Sequence, residues 1–293
     1  MRGLFLAIII LFLFIFIFLA GIGSGLLLSG ESSFSSGDKV AVLRVEDVII
    51  DSRIYLESID TITKNDKVKA LVVRIDSPGG AVGPSQEIYS ELKELGKEMP
   101  IIASIGGVGA SGGYYIACAA EKIYANPGAI TGSIGVIAQF ASYEKLLDWA
   151  KIDVEVIKSG KYKDVGSAFR EMSDADKEYI QQLIDNVYSQ FKTVVASSRD
   201  LDTKQIDSVA EGKIYTGEQA LNLKLIDELG TINDAISVAG NLGGIEGDPE
   251  VINFPKKKSK LFDLLNSKID TNILTSVPIK SRFGLFYLVD IIN

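Results

Sequence analysis

Histidine is absent from all 293 residues. Its absence removes histidine-built metal sites and every Ser-His-Asp or Cys-His arrangement. A serine nucleophile in this chain must be activated by another group, and lysine is the documented substitute. Cysteine is nearly absent too. The single Cys118 excludes an intramolecular disulfide and a cysteine-based metal site, and its place in an apolar run reads as a buried, inert thiol. Positive charge is in deficit: 30 Lys and Arg against 38 Asp and Glu leave a net charge of −8, which argues against a nucleic-acid partner. There is no internal repeat and no long low-complexity run.

Apolar residues, by contrast, make up 47% of the chain, and they begin at its N-terminus. Leu4 to Ala20 carries no polar side chain, and the apolar character runs on to Leu28. About 20 such residues span a bilayer as a helix, whereas the apolar core of a cleaved signal is usually about 7–15. Residues 1–28 are therefore expected to form a retained transmembrane anchor, with cleavage near Ala20-Gly21 as the alternative. Arg2 precedes the segment and no Lys or Arg follows until Lys39. The positive-inside rule then places the N-terminus in the cytoplasm and the bulk of a single-pass protein on the extracytoplasmic side of the cell membrane. Residues 29–38, SGESSFSSGD, read as a flexible linker whose reach of at most ~33 Å holds the following domain near the bilayer.

From residue 39 to about 250 the pattern alternates. Strands are expected at 40–50, 68–75, 101–105, 123–125, 133–138 and 154–158. Helices are expected at 54–65, 84–98, 142–150, 174–199, 217–223 and 232–242, with Pro84 in a first turn and Ser173 as an N-cap. This predicts one α/β domain with a mostly parallel sheet covered by helices. Residues 251–293 read as a tail with a basic run, KKKSK, a short helix expected at 261–269, and an apolar end, GLFYLVDII at 284–292, that resembles a hydrophobic peptide.

The chemistry centres on Gly106–Ala120, GGVGASGGYYIACAA. Gly107, Gly109 and Gly112 fit a dinucleotide loop, but the acid such a loop needs about 20 residues on is missing from ANPGAITGS. Gly109, Ser111 and Gly113 fit the hydrolase G-x-S-x-G elbow, but that elbow needs a histidine. A Ser–Lys enzyme or a tightly packed glycine-rich core remains. Ser142-Tyr-Glu-Lys145 matches S-x-x-K by letters, yet reads as an N-cap and first helical turn. Asp76-Ser-Pro-Gly-Gly80 closes a strand with two glycine N–H groups that suit an oxyanion hole, or else a plain Pro-Gly turn. Among Lys158, Lys161 and Lys163 of the polar loop SGKYKDVGS and its approach, the residues alone do not choose a base. Whichever lysine serves must be held neutral, since a free one titrates near pH 10.4.

DSPGG, GASGGYYIACAA, ITGSIGV, SGKYKD and YTGEQALNLKLIDELG, in that order across about Val40 to Leu242, resemble the signal peptide peptidases of the SppA type. These belong to the Clp-protease and crotonase superfamily, and the length is similar to the short, single-domain form. The resemblance implies a repeated β-β-α core, no cofactor and no metal. It implies Ser111 as nucleophile, Lys163 as general base and Ser133 as a serine that contacts the lysine. It places Gly79 and Gly80 at the oxyanion hole, with the Gly112 backbone contributing. It further implies peptide substrates such as cleaved signal peptides left in the lipid bilayer, and a homo-oligomeric ring in which a neighbour's lysine can complete the site. Lys224 departs from the family, which usually has glycine there. A stomatin-cleaving membrane protease and a crotonase-type acyl-CoA enzyme are the alternatives of the same superfamily.

Overall fold

Strands that carry apolar side chains on both faces need cover on both sides. The computed structural model, which describes residues 12–18, 37–256 and 286–288, meets that need with a layered α/β unit starting at Asp38. Its first half runs β1 (Lys39–Glu46), α1 (Arg53–Thr63), β2 (Val68–Ser77), β3 (Gly79–Ala81), α2 (Val82–Leu95), β4 (Ile101–Ala110), α3 (Gly112–Ala117), β5 (Lys122–Ala125) and β6 (Ile130–Gly132). Its second half runs α4 (Glu144–Ala150), α5 (Asp174–Arg199), α6 (Thr203–Val209), β7 (Ile214–Thr216), α7 (Gly217–Asn222), β8 (Glu228–Leu229), α8 (Ile232–Leu242), β9 (Glu250–Phe254) and β10 (Phe286–Leu288).

The main sheet has the order β7-β6-β4-β2-β1-β9, with β5 and β8 continuing from β4. All its pairings are parallel except β6 with β7. The period of two sorts the side chains into two cores. Leu43, Val73 and Ile105 face α1, α2 and α3 with the buried parts of α5 and α6. Val42, Val72 and Ile102 face α8 through Ala235 and Ala239. Cys118 sits in the first core, where burial pushes its thiol up to about 11 and so keeps it protonated at neutral pH.

Several elements differ from expectation. The strand predicted at 133–138 ends instead at Gly132, because Gly132 and Ser133 both take positive φ and turn the chain out of the sheet. The strand predicted at 154–158 does not form: Val154, Val156 and Ile157 are exposed and pair with no strand among the described residues, and β-propensity alone does not make a strand. The sheet reaches past residue 250, since β9 completes the free edge of β1. Part of the apolar tail also finds a place, with β10 antiparallel on β3.

Residues 12–18 are helical and exposed and belong to a separate unit, Met1–Gly37. Among the described residues no helix is long and apolar enough to cross a membrane. The rest of the expected anchor, most of the linker and the predicted helix at 261–269 lie outside the described residues.

Candidate active site

Ser111 stands where β4 gives way to α3. Its φ of 53° and ψ of −116° lie in a region side chains rarely adopt. Its N–H donates to Gly132 O at 2.8 Å, and its C=O accepts from Tyr115 N at 2.8 Å. The residue is 1% exposed, and its Oγ has no hydrogen-bond partner among the described residues. A left-handed φ costs about 1–3 kcal/mol, and an unsatisfied buried hydroxyl about 1–3 kcal/mol more. Backbone strain and a buried hydroxyl with no partner among the described residues thus coincide at Ser111.

Parallel pairing brings Ser133 beside it. Gly109 faces Thr131 and Ala110 faces Gly132, so Ser111 and Ser133 leave adjacent strand ends together. Ser133 also holds a positive φ, 51°, and its N–H donates to Lys213 O at 2.7 Å. It lines a cavity of about 580 Å³ with Ile134, Val136, Asp185, Tyr188 and Glu211.

The glycine turn closes the other side. Ser77 is fully buried; its hydroxyl donates to Asp47 O at 2.6 Å and accepts from Gly79 N at 3.1 Å. Gly79 O accepts from Ile49 N at 2.9 Å, and Ala81 N donates to Ile49 O at 2.7 Å. Alternation along the strand then turns the Gly80 N–H and C=O to the opposite edge. Of the two glycine amides expected at an oxyanion hole, the Gly79 N–H is thus engaged by Ser77 and the Gly80 N–H faces outward. Gly112 packs against this turn: a Cβ there would lie 3.2 Å from Gly80 N and 2.6 Å from Ser85 Oγ. Side chains are excluded at the turn itself, because a Cβ on Gly80 would lie 2.0 Å from Ile49 O.

That opposite edge carries β10, with Tyr287 facing Gly80 and Leu288 facing Gly79. The Tyr287 side chain is fully buried. Its ring stacks on Tyr115 at 5.3 Å and leans on Phe191 at 4.6 Å, and its hydroxyl donates to Val187 O at 3.3 Å. Burial pushes both phenols up, Tyr115 to about 12. Sequence reasoning misses Tyr115 and Tyr287 as site residues. The alternation in GLFYLVDII is the only signal for the second, and nothing in the sequence says where that segment docks.

The structure does not bring Lys163 to Ser111. Lys163 is exposed, within the 151–163 stretch that is exposed throughout. The stretch forms no helix or strand, and α4 before it buries no residue. Trp149 is 80% and Ile157 93% exposed on the same arm. The three candidate lysines do differ. Lys158 is ion-paired with Asp164 at 2.5 Å, and Lys161 lies over the Tyr162 ring at 5.0 Å. No side-chain hydrogen bond or ion pair engages Lys163 among the described residues, and only its backbone N–H is used, to Gly160 O at 3.2 Å.

The model of Peptidase family S49 matches residues 93–246, which include Ser111, Ser133 and Lys163. A Synechocystis sp. protein named as a protease is 44% identical over 216 residues, covering 73% of this chain and 78% of its own. An Enterococcus faecium protein whose name makes it a signal peptide peptidase SppA is 33% identical over 69% of this chain and 63% of its own. The chloroplastic serine protease SPPA of Arabidopsis thaliana is 33% identical over 72% of this chain but 32% of its own, so the chain spans about a third of that relative. The parallel α/β core, the order of the motifs and these likenesses agree: the chain belongs to peptidase family S49, and its coverage fits the short, single-domain SppA form.

Proposed function

We propose that the protein is a membrane-anchored serine endopeptidase that uses a Ser–Lys dyad to degrade cleaved signal peptides and similar hydrophobic peptides. The observation that carries this reading is Ser111: a strained, buried hydroxyl with no hydrogen-bond partner among the described residues, next to Gly112 in the chain, in a histidine-free member of a peptidase family. Ser111 Oγ attacks the scissile carbonyl. Lys163 takes its proton and returns it to the leaving amine, and Ser133 orients the lysine. The Gly80 and Gly112 amides receive the oxyanion, each donor worth about 3–4 kcal/mol, while the Gly79 amide is held by Ser77. Water then hydrolyses the acyl-enzyme.

Lys163 is assigned to a neighbouring copy's site. Two facts support that: Ser111 Oγ lacks a partner among the described residues of its own chain, and the lysine rides on an exposed apolar arm. The substrate strand is read to add antiparallel to β3, where β10 now lies, with a large apolar side chain among Tyr115 and Phe191.

A fluorophosphonate probe with mass mapping of the modified residue tests the assignment. Modification at Ser111, lost in Lys163→Ala protein of normal subunit number, is the expected result. No modification points to a crotonase-type acyl-CoA enzyme or a non-catalytic protein. A peptide-library profile then separates signal-peptide cleavage from a stomatin-cleaving relative.

A further inference from the structure

Lys163 sits on an arm with no secondary structure from residue 151 to 163, yet a general base must be held within a fraction of an ångström. Both of its chain neighbours are tethered. On one side, Tyr162 stacks on Tyr179 of α5, ring centres 4.9 Å apart and planes 24° apart. On the other, the Asp164 carboxylate accepts from Arg170 Nε and Nη2, both at 2.9 Å, and from Lys158 Nζ. Arg170 goes further: its Nη1 donates to Asp176 at 2.6 Å and to Glu171 O at 3.0 Å. Asp176 is 2% exposed and closes the capping box of α5 with Ser173. Both tethers therefore end on the first two turns of one 26-residue helix.

We propose that Arg170, through Asp164, and Tyr179, through Tyr162, are positioning residues that hold Lys163 at a fixed reach from α5 so that it can enter a serine site as a rigid projection. The proposal rests on Lys163 being the base. The same network explains why Lys158 and Lys161 are poorly suited to act as that base, since one is spent on Asp164 and the other lies over Tyr162. Arg170 depresses the Asp164 and Asp176 carboxyls below the usual carboxylate range, so the bracket stays charged well below neutral pH.

The test compares Arg170→Met, Arg170→Lys, Tyr179→Ala and Tyr179→Phe in the full chain, with kcat counted per fluorophosphonate-titrated site. Arg170→Met is expected to lower kcat on the order of 10²-fold with KM within about twofold, and Arg170→Lys to recover most of it. Tyr179→Ala is expected to lower kcat, and Tyr179→Phe, which keeps the stack, to leave it unchanged. Should Arg170→Met fail to fold, the Tyr179 pair reads the second tether alone. Wild-type kcat in Arg170→Met or in Tyr179→Ala, with Lys163→Ala inactive, overturns the bracket. An active Lys163→Ala protein overturns instead the reading of Lys163 as the base.

Discussion

The two regions that carry the proposed dyad are built in opposite ways. Around Ser111 every element is fixed: parallel register sets Ser133 beside it, buried Ser77 pins the glycine turn, and strain is held in place by a packed core. Around Lys163 little is fixed by the core, and α4 with the following stretch is exposed while carrying tryptophan, valine and isoleucine. A core can hold strain because its neighbours over-determine it, whereas an apolar arm in water has no such support. Under the proposed reading, the nucleophile half is finished within one chain and the lysine half is delivered to it.

The largest expected effect breaks the contrast at its two poles. Ser111→Ala and Lys163→Ala should each lower peptidase turnover by at least ~10³-fold, with unchanged circular dichroism and subunit number. Unequal losses, with the lysine variant nearly active, would show that the arm plays no part in the chemistry.

Next comes the glycine turn. Gly80→Ala forces a Cβ against Ile49 O and displaces an amide proposed for the oxyanion, so kcat should fall about 10²–10³-fold, together with a lowered Tm. The arm should tolerate alanine at exposed positions such as Trp149 without loss of Tm in the isolated subunit.

A smaller effect concerns the segment lying on β3. Ending the chain at Pro278 removes β10 and empties the place of the Tyr287 ring against Tyr115 and Phe191. Peptidase activity should then rise by the inverse of the fraction of time the groove is free. Unchanged kcat/KM on a short peptide would mean that β10 does not compete with substrate.

The smallest effect is remote from both regions. Lys224 replaces the family's usual glycine at φ 59°, a conformation that costs a side chain about 1–2 kcal/mol. Lys224→Gly should raise Tm by about 2–4 °C per kcal/mol gained and leave kcat unchanged.

The sheet was legible in the sequence because its strands are apolar on both faces and its helices carry clear periodicity and caps; α5 follows the predicted 174–199 span without a shift. What escaped was non-local. Val154 to Lys158 reads as a strand, but it pairs with no strand among the described residues. Gly284–Ile292 looks surplus to the core in the sequence because β3, the partner of its described residues Phe286–Leu288, is three residues long and about 200 residues away. The serine, the glycines and Ser133 stand out as motifs, yet only the hydrogen bond from Gly79 N to Ser77 Oγ shows that the Gly79 amide is already used. Choosing among three lysines required their partners, which no spacing encodes.

Mixing inactive Ser111→Ala subunits with inactive Lys163→Ala subunits, after confirmed subunit exchange, tests the division between the two regions most directly. Recovered peptidase activity is the predicted result, because an intact serine in one copy meets an intact lysine from another. A mixture that exchanges subunits yet stays inactive would contradict it and place both residues of the dyad within one chain.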